Sequence, residues 1–132
     1  MADGAARTFL PDRFEDWFAS RGWQPRAHQL ALADAANRDE SALLIAPTGA
    51  GKTLAGFLPS LIDLAKRKKQ ANDNRPALHT LYISPLKALA VDVHRNLNTP
   101  VEEMGLDIRI ETRTGDTPQS RRQRQRANPP DI

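Results

Sequence analysis

The stretch LLIAPTGAGKTLAGFL, residues 43–58, sets Gly49, Gly51, Lys52 and Thr53 between an apolar run and a helix-period run. That order predicts a strand, a tight turn and a helix. Gly49 and Gly51 supply the backbone freedom such a turn needs. A chain bent this way points several N–H groups, those of Thr48 and Ala50 included, into one concavity that suits a phosphate chain. Thr53 and Leu54 then open a helix whose unpaired N–H groups and positive dipole end face the same anion. Lys52 adds a charge within reach of the terminal phosphates, and the Thr53 hydroxyl is the expected magnesium ligand. The run departs from G-x-x-x-x-G-K-[ST] at its first position, where Ala46 stands. That position closes the strand and needs no positive φ. An ordinary glycine turn is the alternative, and the strand before it and helix after it argue against that.

The rest of the chain alternates helical and extended patterns. RFEDWFAS, from Arg13 to Ser20, reads as a helix stopped by Gly22, and Pro25 opens a second helix toward Asn37. ALLIA, from Ala42 to Ala46, is apolar throughout, as expected of a strand covered on both faces. Leu54, Phe57, Leu58, Leu61, Ile62 and Ala65 repeat at helical spacing, with Pro59 inside the helix as a source of a kink. KRKKQANDNRP, from Lys66 to Pro76, reads as a polar connection. Strands are expected at Leu78 to Ser84 and Asp107 to Thr112, with a fourth starting at Asp131. A helix carrying Leu86, Leu89, Ala90, Val93 and Leu97 lies between the first two, and another starts at Pro118. The expected fold class is α/β, a parallel sheet with right-handed crossovers and flanking helices, cut short after about three strands.

Composition fits one small domain with a core of Leu, Ile, Val and Ala, because only seven of 132 residues are aromatic. The absence of cysteine excludes a disulfide framework and cysteine-ligated zinc, and suits a reducing cytoplasm. No apolar run approaches the roughly 20 residues needed to span a bilayer. The N-terminus has no secretory pattern. Residues 1–65 hold six basic against eight acidic side chains, whereas residues 66–132 hold thirteen against eight. A basic excess confined to one half suggests a polyanion partner there.

APTGAGKT resembles motif I of superfamily 2 helicases of the DEAD/DEAH type, and neighbouring segments agree in order. GWQPRAHQ, from Gly22 to Gln29, resembles their Q motif, in which Gln29 would read the adenine edge. ISPLKALAVD, from Ile83 to Asp92, is similar to motif Ia, with Pro85, Leu86 and Lys87 at a helix start where a nucleic-acid phosphate would lie. TRTGDT, from Thr112 to Thr117, is similar to the glycine-aspartate loop, so Arg113, Gly115 and Asp116 would follow the bound strand. PPDI, from Pro129 to Ile132, looks like the start of the next motif. The wording is most similar to Lhr-type helicases, especially the DNA-ligase-associated kind linked to DNA repair.

The resemblance implies a partial RecA-like P-loop NTPase domain, with a Q-motif-like helical region at 1–40 and an incomplete core at 41–132. It implies ATP and Mg2+ as cofactors, held by Gln29, Thr48, Gly49, Ala50, Gly51, Lys52 and Thr53. Lys52 and Thr53 carry the catalytic roles. It implies DNA as partner, single-stranded or duplex, with 3′-to-5′ movement by the complete enzyme. No D-E-x-H or D-E-x-D tetrapeptide occurs in the sequence, and a second RecA-like domain is expected elsewhere. The chain therefore reads as the N-terminal piece of a longer enzyme, able to grip a nucleotide without the acids that orient an attacking water. Rival readings are a non-catalytic nucleic-acid or partner-binding fragment, a piece of a DEAD-box RNA helicase, and a P-loop small-molecule kinase.

Other features invite plainer accounts. KRKK, from Lys66 to Lys69, reads as solvated surface, and QSRRQRQR, from Gln119 to Arg126, as a solvated helical face that also suits phosphate contact. His28, His79 and His94 lack metal-ligand spacing. Trp17 and Trp23 read as packing residues near the nucleotide pocket.

Overall fold

The computed structural model describes residues 10–47, 51–70 and 76–132. Five helices occur among them: α1 (Asp12–Ser20), α2 (Ala27–Asn37), α3 (Lys52–Gln70), α4 (Lys87–Glu103) and α5 (Gln119–Ala127). The chain divides after Pro59 into two compact units, with α3 running from one into the other.

In the first unit, Phe14, Trp17 and Phe18 bury one face of α1. Their spacing, i, i+3 and i+4, is the apolar stripe an amphipathic helix offers a core. Phe14 is 1% exposed. Leu10, Ala33, Ala35, Ala55, Phe57 and Leu58 complete this core. Trp17 meets Phe18 and Trp23 edge-on, at centroid distances of 5.2 and 5.8 Å. The Arg21 guanidinium lies 5.3 Å from the Trp23 ring centre, a cation–π placement that holds the tryptophan while half of it faces solvent. Gly22 takes φ +67° directly after α1, the left-handed conformation that ends a helix cheaply only at glycine.

The second unit is built on Leu61, Leu64, Leu97, Val101, Leu106, Ile108 and Ile132. Two histidines tie its helices to the non-helical chain. His94 donates from Nε2 to the Ile110 carbonyl at 3.0 Å. His79 Nε2 lies 2.6 Å from Asp63 Oδ2, and its Nδ1 lies 2.7 Å from the Thr80 hydroxyl, which donates to Ser60. Burial by itself raises the Asp63 pKa, but the hydrogen bond from His79 and the Arg67 charge outweigh it and hold the carboxyl below its ordinary 3.8. A depressed carboxyl stabilises the fold above its unfolded pKa and loses that contribution as pH falls through the folded value. Thermal melts of the protein and of Asp63→Asn should therefore converge below about pH 4 and separate above it. The separation will be small because the group is partly solvated.

The expected parallel sheet is not there. No described residue lies in a strand; the segments at 41–47, 76–84, 106–114 and 129–132 have no regular secondary structure. Asp131 and Ile132 donate to the Arg109 carbonyl, Glu111 donates to Ile132, and His79 and Thr80 donate to Asp131. These bonds meet at two residues only, whereas a ladder needs partners repeated along a strand. The expected buried strand Ala42–Ala46 is the clearest correction. Leu43 and Ile45 are 85% and 86% exposed, and no backbone bond joins 41–47 to another described segment. An α/β, RecA-like architecture is thus overturned by a helical one among the described residues.

The helix boundaries move less. α2 starts at Ala27 because the Gln29 side chain accepts the Arg26 N–H at 2.8 Å, which fixes Arg26 as the N-cap. Pro118 stands at the N-cap of α5, just outside the helix it was expected to begin. α3 continues to Gln70, so KRKK closes a helix instead of lying in the polar connection expected there. Cations are favoured in that position by the helix dipole.

Candidate nucleotide and nucleic-acid sites

The candidate nucleotide site belongs to the first unit. Thr48, Gly49 and Ala50 lie outside the described residues. Gly51 takes φ +74° and leads directly into α3. The first turn of α3 holds no acidic residue, so nothing there opposes an anion on its unpaired N–H groups. Lys52 and Thr53 are exposed at this end. The Lys52 ammonium donates to the Ala46 carbonyl at 2.7 Å. These groups fit a phosphate chain. Among the described residues, the Thr53 hydroxyl is the side-chain oxygen that would hold a magnesium ion here, with other ligands from phosphate and water. No cluster of three His, Cys, Asp or Glu suited to a metal occurs among the described residues.

Gln29 reaches this loop from α2. It is 3% exposed; its Oε1 accepts the Arg26 N–H, and its Nε2 donates to the Gly51 carbonyl at 3.4 Å. The side chain caps α2 and holds the Gly51 carbonyl at once. Reading an adenine edge would require the amide to exchange one of these bonds for the base. Spacing alone did not reveal this double use, although a glutamine three residues after an N-cap is a capping signal.

A Cβ added to Gly51 would lie 2.8 Å from Gln29 Nε2. The left-handed φ costs roughly 1–2 kcal/mol for other residues, and the displaced amide would release its bond to the loop. Gly51→Ala should thus destabilise the protein by about 2 kcal/mol, read from the urea midpoint. An unchanged midpoint would contradict the geometry.

The candidate nucleic-acid residues belong to the second unit. Pro85, Leu86 and Lys87 stand at the start of α4, with Leu86 as N-cap and no acid in the first turn. All three are exposed, as are Arg113, Gly115 and Asp116. Lys87 pairs with Asp116, so two segments about thirty residues apart meet at one surface position. Within the turn, the Thr114 N–H donates to the Thr117 hydroxyl at 2.8 Å. The α5 arginines separate by role. Arg124 pairs with Glu111, while Arg122 bonds the carbonyls of the turn.

Comparison with known proteins places these sites in context. The DEAD/DEAH box helicase family model matches residues 26–132. The "Lhr helicase/uracil glycosylase" of Escherichia coli (strain K12) is 42% identical over an alignment covering 100% of this chain and 10% of that protein. The "ATP-dependent helicase Lhr-Core" of Methanocaldococcus jannaschii is 38% identical over 70% of this chain and 12% of its own. The crystal structure of DUF1998 helicase MrfA bound to DNA and AMPPNP superposes with a TM-score of 0.73 at 32% identity, over 90% of this chain and 16% of that one. The chain therefore spans about a tenth of the length of these curated relatives. With the family model covering most of its length, and with relatives this similar, the chain belongs to the DEAD/DEAH box helicases.

Proposed function

We propose that this chain forms the nucleotide-gripping and strand-contacting part of an ATP-dependent helicase acting on DNA in repair. The observation that carries the reading is the start of α3. Left-handed Gly51, exposed Lys52 and Thr53, and a first turn without acid make an anion site in a chain of a helicase family. The DNA- and AMPPNP-bound neighbour supports the choice of ligands.

Bound ATP would supply the phosphoanhydride bond whose cleavage drives movement along the strand. The main-chain N–H groups entering α3 would hold its phosphates, and Lys52 would leave the Ala46 carbonyl to pair with the terminal ones. Thr53 would hold magnesium, and Gln29 would select adenine by giving up one of its internal bonds. Lys87, Pro85 and Leu86 at α4, with Arg113, Gly115 and Asp116, would line the strand. The chain has no D-E-x-H segment, so its own share of the reaction is binding and orientation. No helix among the described residues is long and apolar enough to cross a membrane, and a cysteine-free chain suits the cytoplasm.

Titration with a fluorescent ATP analogue, with and without magnesium, tests the reading. Saturable binding displaced by ATP supports it. Absence of binding at millimolar nucleotide by the folded chain would end it.

A further inference from the structure

We infer that Arg122 is a positioning residue for the strand-contacting turn at 114–117, acting through that turn and not by touching phosphate. The inference rests on the proposed role of Gly115 and Asp116 at the strand. Three main-chain carbonyls converge on this one guanidinium. Nε donates to Thr117 at 2.9 Å, and Nη2 donates to Thr114 at 2.8 Å and to Gly115 at 3.1 Å. The side chain is half-buried, unlike the exposed Arg121, Arg124 and Arg126 on the same helix.

The direction of those carbonyls decides what the turn shows to solvent. In a trans peptide the C=O of one residue and the N–H of the next point in opposite directions. With the Thr114 and Gly115 carbonyls drawn to Arg122, the N–H groups of Gly115 and Asp116 face away from it. The Gly115 N–H has no partner among the described residues, and the Asp116 N–H has a long bond of 3.3 Å to the Thr114 hydroxyl. The Gly115 donor is thus left open on the side away from Arg122 and the Asp116 donor is only loosely held, while the Asp116 carboxylate engages Lys87. Donors in this arrangement suit a phosphate oxygen of a nucleic-acid strand. Without the guanidinium, either peptide can rotate and present a carbonyl, which repels phosphate. Lysine cannot replace it, because an ammonium lacks the planar fork that meets several acceptors at once.

The test uses the 132-residue chain and a single-stranded oligodeoxynucleotide, with Arg121→Ala as a control of equal charge change. Arg122→Ala and Arg122→Lys should each weaken binding by about tenfold, the loss expected for misplaced charge-assisted contacts. Both should speed amide exchange at Thr114 and Thr117, whose N–H groups are bonded within the turn, and Arg122→Lys serves if the alanine variant fails to fold. The dependence of log affinity on log salt should keep its slope, because no phosphate-bound cation has been removed. A slope reduced by about one would show that Arg122 itself neutralises a phosphate, and would overturn the inference. So would full rescue by lysine, or exchange rates equal to those of the parent. If the parent chain does not bind the oligonucleotide, the strand-binding reading fails. The exchange rates alone then decide whether Arg122 sets the turn.

Discussion

Lys52→Ala should weaken ATP binding by about ten- to a hundredfold, the equivalent of losing one hydrogen bond from a full charge to phosphate, roughly 1.5–3 kcal/mol. The expectation follows from where the side chain stands. Lys52 is the first residue of α3, exposed, with its ammonium on the Ala46 carbonyl. That bond is to a neutral oxygen at the surface, so a phosphate bearing formal charge would displace it at little cost. The fold should not suffer, since alanine is the best helix former and the site is solvated. Equal melting temperatures combined with lost binding would therefore locate the effect in the ligand contact. A folded Lys52→Ala protein that binds ATP as tightly as its parent would remove the basis for a phosphate site at this helix.

Phe14→Ala should lower stability by about 3–5 kcal/mol, the usual cost of deleting a buried aromatic ring and leaving a cavity. Phe14 is 1% exposed on α1, beside buried Trp17 and Phe18. Against a typical total of roughly 5–15 kcal/mol, that loss brings a small protein close to unfolding. The experiment is a guanidinium titration followed by tryptophan fluorescence, which reports on Trp17 and Trp23 of the same unit. The neighbouring exposed position offers the contrast: Glu15→Ala on the solvent side of α1 should shift the midpoint by less than about 0.5 kcal/mol. Similar losses at both positions would mean that Phe14 is not part of the core.

Much of this protein was legible in its residues. RFEDWFAS before Gly22 announced α1, and the apolar repeat from Leu54 to Ala65 announced α3, because a helix closes its hydrogen bonds within a few residues of chain. Gly51 was legible too: a glycine before Lys-Thr at a helix start predicted the positive φ that the backbone takes. The sheet was not. ALLIA has the composition of a buried strand, yet Leu43 and Ile45 are exposed, because a strand is completed only by partners from elsewhere. The four arginines of QSRRQRQR looked equivalent in sequence, and only their distant partners separate them.

The sequence by itself determined the helices and the glycine-lysine-threonine run, which rest on residues close together along the chain, and membership of the helicase family, which rests on the order of short segments. Tertiary structure decided that Gln29 braces Gly51 across 22 positions, that Lys87 meets Asp116, and that Arg122 gathers the carbonyls of the turn. The physical reason is one of distance. Periodicity records which face of a helix is apolar, but a polar side chain has several possible acceptors, and the folded backbone alone fixes which of them comes within hydrogen-bonding range.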